Sequence, residues 1–174
     1  MKKTDARKQG LNARASISAK QRIHDQKILF RKMKEKCADY DVIGCYVSMK
    51  EEADTHAFLA WALKHGKRIA VPKVRGNTLD FYELHSFDEL SPGCFDVLEP
   101  KGGLLVKPEE IDLMFVPLSS FDEECRRTGY GKGFYDSVLS DSMHKVGVAF
   151  CEQKVDRIES SPNDVKLDEV LTPA

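Results

Sequence analysis

Apolar and polar positions along the chain switch between a helical and an extended period, and the switches mark out short elements. Residues 4–15 are basic with scattered apolar positions, which predicts a helix interrupted by Gly10. Ser18 followed by Gln21 has the spacing of a capping box and opens a second helix to about Cys37, with Ile23, Phe30, Met33 and Cys37 as its apolar stripe. Val42 to Val47 is a β-branched and aromatic run, the pattern of a buried strand. A helix is predicted from about Thr55 to His65, stopped by Gly66. Arg68 to Val71 forms the next strand, ended by Pro72; Gly76-Asn77 supplies a turn, and Leu79 to Leu84 is a strand near a sheet edge. A loop rich in glycine and proline runs from Ser91 to Pro108, long enough inside a compact domain to suggest a job beyond connection. Asp112 to Val116 is the clearest central strand. Beyond it come a glycine loop, a helix to about Ser140, a strand from Val146 to Phe150 and a short irregular or helical tail from Ser160.

Strands alternating with helices predict an α/β fold, three layers α/β/α around a mainly parallel sheet. With 174 residues and no linker-like stretch, the chain is expected to form a single domain. A net charge of −1 provides no global field for nucleic acid or an acidic membrane, so any anion site must be local. The basic residues near the start lack the aromatic interleaving of an RNA-binding arm. Five widely spaced cysteines without a C-x-x-C pair disfavour zinc and a disulfide framework and fit a reducing compartment. The longest apolar run, Phe58 to Leu63, is too short to span a bilayer, so the expected setting is cytoplasmic. No helix shows an extra apolar face, and a monomer is expected.

The chemistry gathers at R-T-G-Y-G-K-G-F-Y-D, Arg127 to Asp136. Gly129, Gly131 and Gly133 on alternate positions let consecutive N–H groups face one concavity, the preparation for an anion, and Lys132 adds a full charge. A helix beginning at Phe134 would aim its N-terminus at the same spot. Asp136 reads two ways: an acid suited to a first helical turn, or a carboxylate reaching a magnesium ion brought in with a polyphosphate. The spacing matches neither the P-loop, where Ser or Thr follows the lysine, nor the G-x-G-x-x-G dinucleotide fingerprint.

With this loop in place, the chain resembles the 5-formyltetrahydrofolate cyclo-ligase (5,10-methenyltetrahydrofolate synthetase) family over nearly its whole length. Lys3-x-x-x-Arg7 is similar to that family's N-terminal K-x-x-x-R, and Tyr46 to Thr55 to its segment ending in E-x-x-T. The resemblance continues through Gly66-Lys67 to Pro72, Glu99-Pro100, I-D-L-M-F-V-P, Phe121-Asp122, the glycine loop and N-D-V-K-L-D-E-V-L. The family's loop commonly reads R-x-G-R-G-x-G-Y-Y-D, so Tyr130 stands in place of an arginine and Phe134 in place of a tyrosine.

The resemblance implies ATP-driven cyclisation of 5-formyltetrahydrofolate to 5,10-methenyltetrahydrofolate, with magnesium as cofactor. It implies that Lys132 and Tyr135 carry the chemistry. Lys3, Arg7, Arg127, Gly129, Tyr130, Gly131, Lys132, Gly133, Phe134 and Tyr135 would bind ATP. Val47, Met49 and Glu52 would bind the folate with Tyr130, Phe134 and Tyr135, Glu51 being the alternative to Glu52. Asp136 and Asp164 would hold the metal. A nucleotide- or polyanion-binding regulatory module of the same fold, without turnover, is the alternative.

Overall fold

A computed structural model describes residues 1–49 and 51–174; Lys50, within the Tyr46 to Thr55 segment, lies outside them. The helices are α1 (Lys3–Ala15), α2 (Ala19–Cys37) and α3 (His56–Lys64). The strands are β1 (Val42–Cys45), β2 (Arg68–Arg75), β3 (Thr78–Leu84), β4 (Leu90–Pro92), β5 (Leu98–Pro100), β6 (Leu105–Val106), β7 (Leu113–Val116), β8 (Ser120–Phe121), β9 (Arg127–Thr128), β10 (His144–Val148) and β11 (Glu169–Leu171). The main sheet has the order β11-β10-β7-β1-β2-β3-β6; β4–β5 and β8–β9 are separate hairpins. Strands from β11 to β2 are parallel, and β3 and β6 add an antiparallel edge. This is the expected α/β fold with a mainly parallel sheet.

Successive residues of the central strands serve two cores, as the period of two requires. Ile43, Cys45, Leu113, Phe115, Val146 and Val148 face the layer of α2 and α3, whereas Val42, Met114 and Val116 face the other side. On that second side the cover comes from turns and loops that place Leu118, Val138, Leu139 and Met143 against the sheet. The helix expected over residues 134–140 is one of these turns: Leu139 N–H donates to Tyr135 O (2.9 Å) and Ser137 N–H to Gly133 O (3.3 Å), and the coil goes no further. Too few residues separate Gly133, at φ 69°, from the next bend to repay helix nucleation.

Other expectations shift in informative ways. In α2 half of the expected capping box forms: Ser18 Oγ accepts from Gln21 N–H at 3.1 Å, while the Gln21 side chain turns to Asp25 instead of the cap. Its buried line, however, is Asp25, Leu29, Met33 and Cys37, while Ile23 is 58 % exposed. Asp25 tolerates burial because Gln21 Nε2 donates to it at 2.7 Å. Pro72 does not end β2, which runs on to Arg75; β1 is registered only as far as Ala70, so a residue without an N–H breaks no bond to it. The tail contains β11, paired with β10, where no strand was expected. Among the described residues no helix is long and apolar enough to cross a membrane.

Helix α1 lies close against β8, and Gly10 is the reason it can. A Cβ at Gly10 would meet Ser119 O at 2.1 Å and Ser120 Cβ at 2.7 Å. Gly10→Ala is therefore expected to destabilise the protein by about 1–3 kcal/mol, although alanine is the better helix former. For a chain of this size that is a fall of roughly 2–12 °C in Tm. An unchanged melt would mean that α1 can back away freely.

Candidate functional site

The carboxyl ends of β1 and β7 lie side by side, and the chain leaves them in opposite directions. From β1 it passes through α3 to β2 on one side; from β7 it passes through the β8–β9 hairpin and the glycine loop to β10 on the other. Such a switch point leaves a crevice beyond the strand ends. Here it is a cavity of about 530 Å³; every residue expected to bind ATP, folate or metal lines it, whereas Glu51, the alternative to Glu52, does not.

The glycine loop forms one wall. Gly131 (φ 90°) and Gly133 (φ 69°) adopt backbone angles that other residues avoid, and a Cβ at Gly131 would approach the Arg7 guanidinium at 3.6 Å. Among the described residues, no protein oxygen accepts from the N–H groups of Gly131, Lys132 or Gly133. The positive field does not include a helix N-terminus, because the following segment is a turn. It comes from Lys3 and Arg7 on α1, from Arg127 at β9 and from Lys132. Arg7 Nε donates to Gly129 O (2.9 Å), which also accepts from Ser119 Oγ (2.8 Å), and so α1 is tied to the loop.

Two of these cations rest on carboxylates. Lys3 Nζ is 2.5 Å from Asp164 Oδ2, and Arg127 Nη2 is 3.3 Å from Asp136 Oδ1. Val165 N–H also donates to Asp136 Oδ1 at 3.3 Å, which brings the two aspartates to neighbouring positions at the cleft. Among the described residues no group of three or more His, Cys, Asp or Glu could enclose a cation. A pair of carboxylates beside a cationic loop fits magnesium that keeps water and phosphate oxygens as its remaining ligands.

The facing wall comes from the segment after β1. Tyr46 and Val47 are buried there, and Thr55 fixes the turn by donating to Tyr46 O (2.8 Å) and accepting from Ser48 N–H (2.9 Å). Glu52, 5 % exposed, accepts from Met49 N–H (2.8 Å) at Oε1 and from the Tyr130 hydroxyl (2.9 Å) at Oε2. Burial pushes its carboxyl up, against the opposing effects of these two donors and the Arg14 charge. Burial likewise lifts the Tyr135 hydroxyl well above its ordinary range and pulls the Arg127 guanidinium down. Among the described residues, three buried side-chain polar atoms lack a hydrogen-bond partner: Tyr135 Oη, Arg127 Nε and Arg14 Nε. The first two belong to cavity-lining residues.

The sequence reading missed part of the enclosure. Val74 and Leu79 on the β2–β3 ribbon, and Phe95 and Val97 at the tip between β4 and β5, supply an apolar side to the cavity. The long glycine- and proline-rich loop was a hint, since Phe95 sits within it at φ 58° and is 68 % exposed. Arg14 was also missed; only its partner Tyr130 identifies it. A more open hollow at the opposite edge of the sheet, beside Tyr40 and His144, has its Asp112 and Asp168 carboxylates bound to backbone N–H groups of Val42 and Lys145.

An open sheet with a switch-point crevice, one cationic wall and one apolar side defines an α/β protein that takes small molecules at the carboxyl edge of its strands. The chain belongs to the 5-formyltetrahydrofolate cyclo-ligase family, whose sequence model matches residues 1–173. It is 29 % identical to the 5-formyltetrahydrofolate cyclo-ligase of Mus musculus over 181 aligned positions, covering 90 % of this chain and 86 % of the mouse protein. Against the same-named protein of Escherichia coli K12 the identity is 30 %, covering 76 % and 78 % of the two chains. The solution structure of Aquifex aeolicus 5,10-methenyltetrahydrofolate synthetase superimposes with a TM-score of 0.87 at 32 % identity, covering 98 % of this chain and 89 % of that one.

Proposed function

We propose that the protein uses ATP to close the ring of 5-formyltetrahydrofolate, giving 5,10-methenyltetrahydrofolate, ADP and phosphate. The observation that carries this reading is one cleft holding both a cationic glycine loop and, on the wall facing it, a buried carboxylate. The formyl oxygen is a poor leaving group. It therefore takes the γ-phosphoryl as the bond to ADP breaks; N10 then attacks the activated carbon, loses its proton, and the C–O bond to phosphate breaks. Such chemistry needs positioning and positive charge more than a protein nucleophile.

Lys132 neutralises the charge that spreads over the transferred phosphoryl oxygens. Lys3, Arg7 and Arg127 hold the remaining phosphates, with the amides of Gly129, Gly131 and Gly133 and the side chains of Tyr130, Phe134 and Tyr135 completing the nucleotide wall. Asp136 and Asp164 would hold magnesium, which would supply further neutralisation of phosphate charge. Glu52 accepts donors from the aminopyrimidinone edge of the folate; each carboxylate oxygen retains a lone pair beyond the bond it already makes. Val47, Met49 and the ring of Phe134 line the apolar approach, and the Tyr135 hydroxyl, kept un-ionised by burial, is assigned to donate to the reacting oxygen. Five free thiols support a reducing, cytoplasmic setting.

The test is direct. Protein mixed with 5-formyltetrahydrofolate and MgATP should generate methenyl absorbance in the near ultraviolet; folded protein that binds ATP without product would leave only the regulatory module. Asp136→Asn is expected to raise the magnesium concentration for half-maximal rate about tenfold, equivalent to about 1.4 kcal/mol of binding. A superimposable magnesium titration would remove Asp136 from that role.

A further inference from the structure

Arg14 lies at the end of α1, 5 % exposed, with its Nε buried and unpartnered. Its Nη1 donates to the Tyr130 hydroxyl at 3.1 Å, and that hydroxyl donates onward to Glu52 Oε2 at 2.9 Å. Tyr130 is 41 % exposed, yet its hydroxyl oxygen lies between a buried cation and a buried anion. We propose that Arg14 is a positioning residue which, through the Tyr130 hydroxyl, fixes the orientation and the negative charge of Glu52 for the folate. This rests on the cyclo-ligase reading and assigns Tyr130 a task other than contact with phosphate.

The chemistry favours the relay. A guanidinium placed directly on Glu52 would occupy the carboxylate and compete with the folate donors. A phenol between them passes on polarisation while occupying one lone pair. It does so without ionising, because burial and the facing carboxylate push the Tyr130 hydroxyl far above its ordinary value. The titratable groups around Glu52 are Arg14 from α1, Tyr46 from the end of β1, and Tyr130 and Tyr135 from the glycine loop. Burial holds Tyr46 and Tyr135 un-ionised as well. Glu52 is then the group whose protonation switches folate binding off as pH falls. The same relay links the N-terminal helix, the glycine loop and the segment after β1, so the two substrate walls are held in register by one hydroxyl.

The experiment compares wild type with Tyr130→Phe, Arg14→Gln, Arg14→Lys and the Tyr130→Phe/Arg14→Gln double variant. It measures KM for 5-formyltetrahydrofolate and for ATP, and the pH dependence of equilibrium binding of 5-formyltetrahydrofolate alone. Tyr130→Phe keeps the ring that completes the nucleotide wall and removes only the hydroxyl, so it should raise the folate KM about tenfold, leave the ATP KM within about twofold, and move the acidic limb of folate binding to higher pH. Arg14→Gln should do the same, Arg14→Lys less, and the double variant no more than the worse single. Additive losses, an unmoved acidic limb, or a rise confined to the ATP KM would overturn the relay. Should Arg14→Gln fail to fold, Tyr130→Phe decides alone, since it removes a single oxygen. Wild-type protein that binds the folate but forms no methenyl product would instead sink the cyclo-ligase reading and leave the binding comparison standing.

Discussion

Lys132→Ala is expected to lower kcat about a hundred- to a thousandfold, the loss of about 2.7–4 kcal/mol typical when one pre-placed charge stabiliser is removed. The lysine stands at the tip of the glycine loop, exposed, and among the described residues no carboxylate pairs with it. Its Nζ is 6.0 Å from the centre of the Phe95 ring, which spans the mouth of the cleft but does not neutralise it. Lys3 and Arg127 each have a carboxylate partner, so Lys132 holds the most available charge in the loop. Because it is exposed and makes no structural bond, the melting curve of the variant should overlay that of wild type. Steady-state rates beside a thermal melt check both halves. Wild-type turnover in the folded variant would remove this lysine from phosphoryl transfer.

Glu52→Gln should have the opposite signature. The neutral amide can still accept from Met49 N–H, but it cannot attract the folate donors as an anion. The folate KM should rise about 30- to 150-fold, equivalent to roughly 2–3 kcal/mol for a buried charge-assisted pair. Stability should improve at the same time. Burial raises the carboxyl of Glu52 in the folded state, so the native protein binds that proton more tightly than the unfolded chain does. Its contribution is least adverse below the unfolded value and worsens as pH rises through the higher folded one. At neutral pH the substitution removes an unfavourable desolvated charge, and Tm should increase; below the unfolded glutamate range the difference should vanish. A variant that loses both Tm and folate affinity at neutral pH would show that Glu52 is a structural acid.

The same contrast explains what was legible in the sequence. The cap at Ser18, the stop at Gly66 and the central strand around Phe115 are local signals, written within a few residues, and they stand in the fold. The glycine loop was legible because φ 90° at Gly131 and φ 69° at Gly133 demand that residue type. The turn after it was misread as a helix because Phe134, Tyr135, Val138 and Leu139 carry helical spacing, and only the shortness of the segment decides against it. β11 owes its existence to β10, a partner more than twenty residues away, and its three residues carry no pattern of their own. Arg14 resembled its solvated neighbours in a basic helix. Its burial and its bond to Tyr130 depend on how α1 is laid across the loop, and that contact is invisible until both are in place.

The ion pairs Lys3–Asp164 and Arg127–Asp136 give the resting cleft its own internal counter-ions. On the proposed reading, a triphosphate that engages Lys3 and Arg127 competes with Asp164 and Asp136 for them, and the displaced carboxylates are left for a divalent ion. On that reading the polyphosphate and the divalent ion favour each other's entry into the cleft.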